Sequence, residues 1–135
     1  MRTLFSVLFL LALFSNTAKA EESVNQQILG ALNSYHQAEL EGDLDGILNA
    51  YADDFVDPQG ATKSMLAEFF MALVSQGLLN DLKVDMSSIV IEVEGERASA
   101  GPVSYSTALG TNTYSYQMRK DRDGSWRFIR SRLIN

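Results

Sequence analysis

The spacing of apolar residues changes near Leu82, and this change constrains the fold more than any other feature of the chain. Before it, apolar side chains repeat at helical intervals, and after it stretches rich in Val, Ile and Tyr alternate with turn sequences. The turns are Glu94-Gly95-Glu96, Gly110-Thr111-Asn112 and Asp121-Arg122-Asp123-Gly124. Helices followed by hairpin-connected strands predict an α+β fold with a mainly antiparallel sheet.

Three helices are predicted in the first half of the chain. The first extends from about Ser23 to Glu41 and has one apolar stripe. A Gly42-Asp43 break separates it from a short second helix, because glycine ends helices and aspartate caps them. The third helix stops at Gly77, with Thr62 or Ser64 as its N-cap.

The remaining segments are predicted to be extended. Asp53 to Pro58 forms a short acidic strand, because the proline disfavours the α conformation at Asp57. The main strands are predicted at Lys83 to Val93, Arg97 to Leu109 with a bulge at Gly101-Pro102, Thr113 to Lys120, and Ser125 to Ile134. Three helices on one face of a strongly bent sheet leave a cone with an open mouth, where pockets often lie.

The first twenty residues have the features of a secretory signal peptide. Arg2 provides a positive charge, residues 4 to 14 are almost wholly apolar, and Ala18-Lys19-Ala20 matches a cleavage site. A membrane-spanning helix needs about 20 apolar residues, and this apolar run is shorter. We therefore predict removal of residues 1–20, leaving a single domain at 21–135 that is periplasmic or secreted and has no membrane anchor.

Composition excludes several classes of function. Loss of Arg2 and Lys19 would leave nine basic against 17 acidic side chains, a net charge near −8 that disfavours binding to nucleic acid or anionic lipid. The chain has no cysteine, which excludes disulfides, thiolate zinc sites and thiol nucleophiles. His36 is the only histidine, and Asp53-Asp54 is typical of an acidic turn, so neither a metal nor a cofactor is predicted.

Several segments resemble bacterial ketosteroid isomerases: Tyr35, Gly42 to Ile47, Ala52 to Asp54, and Asp57-Pro58. The ending Asp123 to Phe128 is similar to the wider superfamily of nuclear transport factor 2 and the SnoaL-like cyclases. The resemblance extends over essentially the whole of the predicted mature chain. It implies a cystatin-like, cone-shaped barrel with a hydrophobic pocket at its mouth, commonly a homodimer through the outer face of the sheet.

The resemblance also implies roles for three residues. Tyr35 falls on the oxyanion-hole tyrosine of the isomerases, and Asp57 on their general base after a deletion of two residues, which preserves strand parity. Tyr116 stands where those enzymes have a protonated aspartic acid as second donor. The implied chemistry is proton transfer next to a carbonyl, in which the carboxylate takes the proton and the hydroxyls hold the developing enolate. Such an enzyme would be an isomerase or a lyase.

The same residues also have purely structural explanations. Asp57 before a proline is typical of a turn, Tyr35 of a core tyrosine on the apolar stripe, and Tyr116 of sheet packing. His36 is rotated by about 100° from that stripe, which predicts a position in solvent or at the pocket rim. The predicted ligand contacts around the cone are Phe55, Phe70, Met118, Tyr114 and Trp126.

Three functions remain open from the sequence. The first is an exported domain that binds a small apolar molecule in its cone. The second is an isomerase, dehydratase or cyclase that uses Asp57 with Tyr35. The third is a dimerising interaction module whose cone is filled by side chains such as Phe69 and Phe70. The free volume of the cone separates the third from the others, and the orientation of Asp57 separates the second from the first.

Overall fold

The computed structural model describes residues 23–134, as helices followed by one antiparallel sheet of five strands. The helices are α1 (residues 23–41), α2 (Leu44–Asn49) and α3 (Lys63–Ser75). The strands are β1 (Lys83–Asp85), β2 (Val90–Glu94), β3 (Arg97–Thr107), β4 (Gly110–Lys120) and β5 (Trp126–Leu133). The predicted signal peptide, residues 1–20, lies outside the described residues. Within those residues, no helix is both long and apolar enough to cross a membrane.

The predicted helix ends are confirmed by their capping contacts. The side chain of Asp43 accepts a hydrogen bond from the amide of Gly46 at the start of α2, at 3.1 Å. Thr62 caps α3 in the same way. Gly77 follows α3 with a φ of 69°, a left-handed conformation that glycine adopts without steric cost.

β3 is the central strand of the sheet, pairing with β1 and β2 along one edge and with β4 along the other. The single strand predicted at Lys83 to Val93 is therefore two strands, because residues 86–89 form a turn in which the amide of Ile89 donates to the carbonyl of Met86. The bulge predicted at Gly101-Pro102 is confirmed by a shift of register between Ala100 and Val103. The turn predicted at Gly110-Thr111-Asn112 lies two residues earlier, at 108–109, so that Gly110 begins β4.

The short acidic strand predicted at Asp53 to Pro58 does not form. Val56 makes only an isolated bridge with Thr62. The side chain of Asp57 instead accepts from the amides of Gln59 and Ala61, at 2.9 and 2.8 Å, and these bonds fold the segment into a turn before α3. The extended conformation that the proline favours is thus used for a turn rather than for a ladder.

The core lies between the helices and the concave face of the sheet. At its centre is Phe128, whose ring centroid lies 4.2 Å from that of Tyr116 and 5.1 Å from those of Tyr35 and Tyr51. Buried residues of α1 and of β3 to β5 surround these rings, among them Ile28, Leu32, Ala100, Val103 and Met118. Aromatic packing therefore joins the first helix to the last two strands.

Candidate functional site

A cavity of about 510 Å³ opens between α3 and the end of the sheet formed by the β3–β4 hairpin. Leucine and phenylalanine side chains of α3 and of the turn after it form much of its wall: Leu66, Phe70, Leu73, Leu79 and Leu82. Three exposed apolar side chains, Met65, Phe69 and Leu109, line it where it meets solvent. The cone is therefore hollow rather than filled by its own side chains.

The three residues implied by the resemblance, Tyr35, Asp57 and Tyr116, all line this cavity. The two phenols are buried, and each is hydrogen-bonded to another phenol. The hydroxyl of Tyr35 pairs with that of Tyr51 at 2.8 Å, and the hydroxyl of Tyr116 donates to that of Tyr105 at 2.7 Å. In each pair the accepting hydroxyl keeps its own proton, so it can still act as a donor.

Asp57 is half-buried at the wall of the cavity. Its Oδ1 atom holds the turn before α3 by accepting from two backbone amides, as the structural explanation of this residue predicted. Burial raises the pKa of Tyr114, and the negative charge of Asp57 raises it further. Asp57 is therefore both a turn residue and a charge that a molecule in the cavity would meet.

The sequence predicted that His36 lies in solvent or at the pocket rim. In the structure it is buried, with 6% of its surface exposed. Its Nε2 atom is hydrogen-bonded to the hydroxyl of Tyr105 at 2.9 Å, and the two rings pack edge to face. The prediction was wrong because β3 covers a face of α1 next to its apolar stripe. Burial lowers the pKa of His36 to about 4, so the imidazole is neutral at neutral pH.

Burial also keeps the phenols neutral. It is the largest cause of the raised pKa of four further tyrosines around the cavity: Tyr35, Tyr51, Tyr105 and Tyr116. Hydrogen bonds join two of these hydroxyls to His36 in the order Tyr116, Tyr105, His36. The inner wall of the cavity is thus polar but uncharged at these positions.

The sequence reasoning missed Glu39. This residue lines the cavity with only 4% of its surface exposed, and its Oε1 atom has no hydrogen-bond partner among residues 23–134. Burial raises the pKa of its carboxyl group to about 8. The signal was present in the sequence, since Glu39 follows Tyr35 by four residues and so lies on the same face of α1.

The five predicted ligand contacts are not all at this cavity. Phe70 and Tyr114 line it. Phe55 and Met118 lie instead in the core, at 2% and 1% exposure, and Met118 is opposite Phe128 of β5 in the sheet. Trp126 lines a separate depression of about 320 Å³, where its Nε1 atom donates to Gln27. The alternation of residues along the strand predicts that Met118 is on the inner face of the sheet. It does not predict how far from the mouth of the cone the side chain lies.

Residues 23–134 contain no group of three or more histidine, aspartate or glutamate side chains that could hold a metal ion. The polar side chains that line the cavity are hydroxyls, the amide of Asn112, and the carboxyls of Glu39 and Asp57, with the imidazole of His36 behind them. Such a set can bind the polar end of a small molecule or move a proton.

No protein-family model and no curated protein matches the sequence. Solved structures do match it. An NTF2-like protein of unknown function from Pseudomonas putida is 21% identical with a TM-score of 0.62, and the match covers 86% of each chain. The chain has the nuclear transport factor 2-like fold.

Two further structures with this fold show the same likeness. A protein of unknown function with a cystatin-like fold from Nostoc punctiforme is 17% identical, with a TM-score of 0.64 over 81% of this chain and 88% of that one. A protein from Shewanella frigidimarina, provisionally named a ketosteroid isomerase, is 14% identical, with a TM-score of 0.63 over 78% of this chain and 92% of that one. These matches confirm the predicted cone-shaped α+β fold, and a fold alone does not assign an activity.

Proposed function

We propose that this nuclear transport factor 2-like domain binds a small apolar molecule in the cavity between α3 and the β3–β4 hairpin. The observation that carries the proposal is the cavity itself, whose volume of about 510 Å³ falls in the range of roughly 300–1,000 Å³ of ligand sites. Its wall exposes more apolar than polar surface, and its polar groups converge from α1, from the segment after α2 and from the sheet. This combination is typical of sites for small organic ligands.

The binding site can be tested with N-phenylnaphthylamine, an uncharged probe whose fluorescence rises in apolar surroundings. Leu66→Trp places a larger side chain in the wall of the cavity and should lower probe affinity by an order of magnitude or more. Leu40→Trp is the matched control, because Leu40 is a helical leucine that is 48% exposed and does not line the cavity. Equal probe binding by the two variants would refute the proposed site.

We also propose that the protein is exported and processed after Ala20, on the basis of the charge, apolar run and cleavage motif at its start. The mature protein from the producing cell should then begin at Glu21, which N-terminal sequencing would establish. Mass spectrometry of small molecules that co-purify with that exported protein would identify the natural ligand. An unprocessed N-terminus in every cell fraction would contradict the proposed export.

A second candidate is an isomerase, dehydratase or cyclase, because Asp57 lines the same cavity as the phenols Tyr35 and Tyr116. Asp57 would take a proton next to a carbonyl, and the hydroxyl of Tyr35 would hold the developing enolate oxygen, joined by that of Tyr116 once it turns away from Tyr105. Asp57→Asn tests this role cleanly, since the amide oxygen can still accept from Gln59 and Ala61 and so keep the turn.

The variant should unfold at nearly the wild-type temperature but lose proton exchange at the carbon next to the carbonyl of an unsaturated cyclic ketone. That exchange is measured by NMR in deuterated water. Exchange by the wild type that continues unchanged in Asp57→Asn would remove Asp57 from the mechanism.

A further inference from the structure

Glu39 is the most unusual polar group of the cavity. It is almost completely buried, it lines the cavity, and its Oε1 atom has no hydrogen-bond partner among the described residues. A buried polar atom without a partner destabilises a protein, because it has lost its bonds to water and gained none in return. A molecule in the cavity that formed a hydrogen bond with this atom would remove that cost. The carboxyl group is therefore placed to bind a ligand.

The surroundings of Glu39 are uncharged. The phenols of Tyr35, Tyr51, Tyr105 and Tyr116 are held neutral by burial, and so is the imidazole of His36 behind them. Burial favours the neutral form of Glu39 as well. The cavity lining includes the carboxyl of Asp57 and, within residues 23–134, no lysine, arginine or histidine. No positively charged side chain there would compensate the negative charge of a carboxylate or phosphate ligand.

We propose that Glu39 binds the hydroxyl group of an uncharged and otherwise apolar ligand. This inference rests on the proposed function and names the ligand class of that same cavity. A neutral carboxyl group has one donor and one acceptor, and a hydroxyl group is complementary because it both accepts and donates. Apolar side chains of α3, such as Leu66 and Phe70, would cover the body of the ligand.

Other polar groups fit less well. A ketone only accepts, so it would leave the carbonyl oxygen of Glu39 without a donor. A carboxylate would meet a second acid at Glu39 and the charge of Asp57. An ammonium group would have to lose its hydration, and Glu39 would have to release its proton to the solvent to pair with it. A buried ion pair returns little of that cost. The geometry therefore favours an alcohol over all three.

Four probes with the same rigid cage separate these classes: adamantanol, adamantanone, adamantanamine and adamantane carboxylate. Each is measured by displacement of N-phenylnaphthylamine from the mature protein at a pH of about 6, below the pKa of Glu39. The alcohol should bind with at least ten times the affinity of the carboxylate and several times the affinity of the ketone.

Two variants connect that order to Glu39. Glu39→Gln keeps a donor and an acceptor at the site and should keep the preference for the alcohol. Glu39→Leu removes both, so the alcohol and the ketone should bind equally. The leucine variant is expected to fold, because it replaces an unpartnered buried oxygen by an apolar side chain.

Two results would overturn the inference alone: a carboxylate or amine probe that binds as tightly as the alcohol, or a preference for the alcohol that persists in Glu39→Leu. Failure of all four cage probes and of N-phenylnaphthylamine to bind would overturn the proposed function, and the inference with it. The two failures are therefore distinguishable in the same set of measurements.

Discussion

Replacing Glu39 by Gln should remove a large pH dependence from the stability of the protein. Burial raises the pKa of Glu39 from 4.5 to about 8 in the folded state, and the unfolded chain keeps the ordinary value. Below pH 4.5 both states are protonated and the group contributes nothing. As the pH rises to about 8, only the unfolded state loses its proton, so the folded state becomes less favoured. The difference in pKa corresponds to about 5 kcal/mol.

Urea unfolding near each end of that pH range measures the effect. The chain has a single tryptophan, Trp126, which is buried and so reports unfolding by its fluorescence. The free energy of unfolding of the wild type, relative to that of Glu39→Gln, should fall by up to about 5 kcal/mol between the acidic and the alkaline condition. Subtracting the free energy of unfolding of the variant from that of the wild type cancels the contribution of the other groups, which titrate in both proteins.

Glu41→Gln is the matched control, because Glu41 is exposed on the same helix. It should follow the wild type at every pH. Parallel pH profiles of the wild type and Glu39→Gln would refute the reasoning, since they would mean that the carboxyl group reaches water in the folded state.

Three further predictions test other parts of the structure. Phe128→Ala should lower the free energy of unfolding by about 3–5 kcal/mol in urea melts, because rings of α1, β4 and the segment after α2 pack against Phe128. Between pH 6.5 and about 4 the unfolded wild type takes up a proton at His36 before the buried imidazole does, so the free energy of unfolding falls as the pH is lowered. His36→Gln should remove up to about 3 kcal/mol of this fall, as measured by urea melts across that pH range. Wild-type-like results for either variant would contradict the packing or the burial on which it rests. The resemblance implies a homodimer, which sedimentation equilibrium should detect as twice the mass of the mature chain, and a single-chain mass at all concentrations would contradict it.

Local chemistry made parts of this fold predictable from the sequence. Thr62 and Gly77 mark the ends of α3 because capping depends on neighbouring backbone groups. Gly101-Pro102 marks the bulge for a similar reason, and a Cβ atom at Gly101 would lie only 2.9 Å from the backbone of Ser115. These features can be predicted from neighbouring residues in the sequence, without knowing the tertiary contacts.

Burial of the polar groups was less predictable because it depends on distant residues. The partner of His36 is Tyr105, which lies 69 positions along the chain, and only the completed sheet brings the two together. Helical periodicity identified the stripe that contains Tyr35 but did not single out Glu39. The convergence of Tyr35, Asp57 and Tyr116 was expected from the resemblance, whereas the pairing of the phenols with one another was not.

The cost of Glu39 in the unliganded protein leads to a last prediction that links stability to binding. Glu39→Leu removes the unpartnered oxygen and should unfold at a higher temperature than the wild type when no ligand is present. A saturating alcohol probe stabilises whichever protein it binds, in proportion to the logarithm of its concentration over Kd. Because the wild type binds the alcohol more tightly, added adamantanol should narrow the difference in melting temperature or reverse it. A difference that stays constant as the alcohol is titrated would mean that the carboxyl group does not contact the ligand, and that its burial needs another explanation.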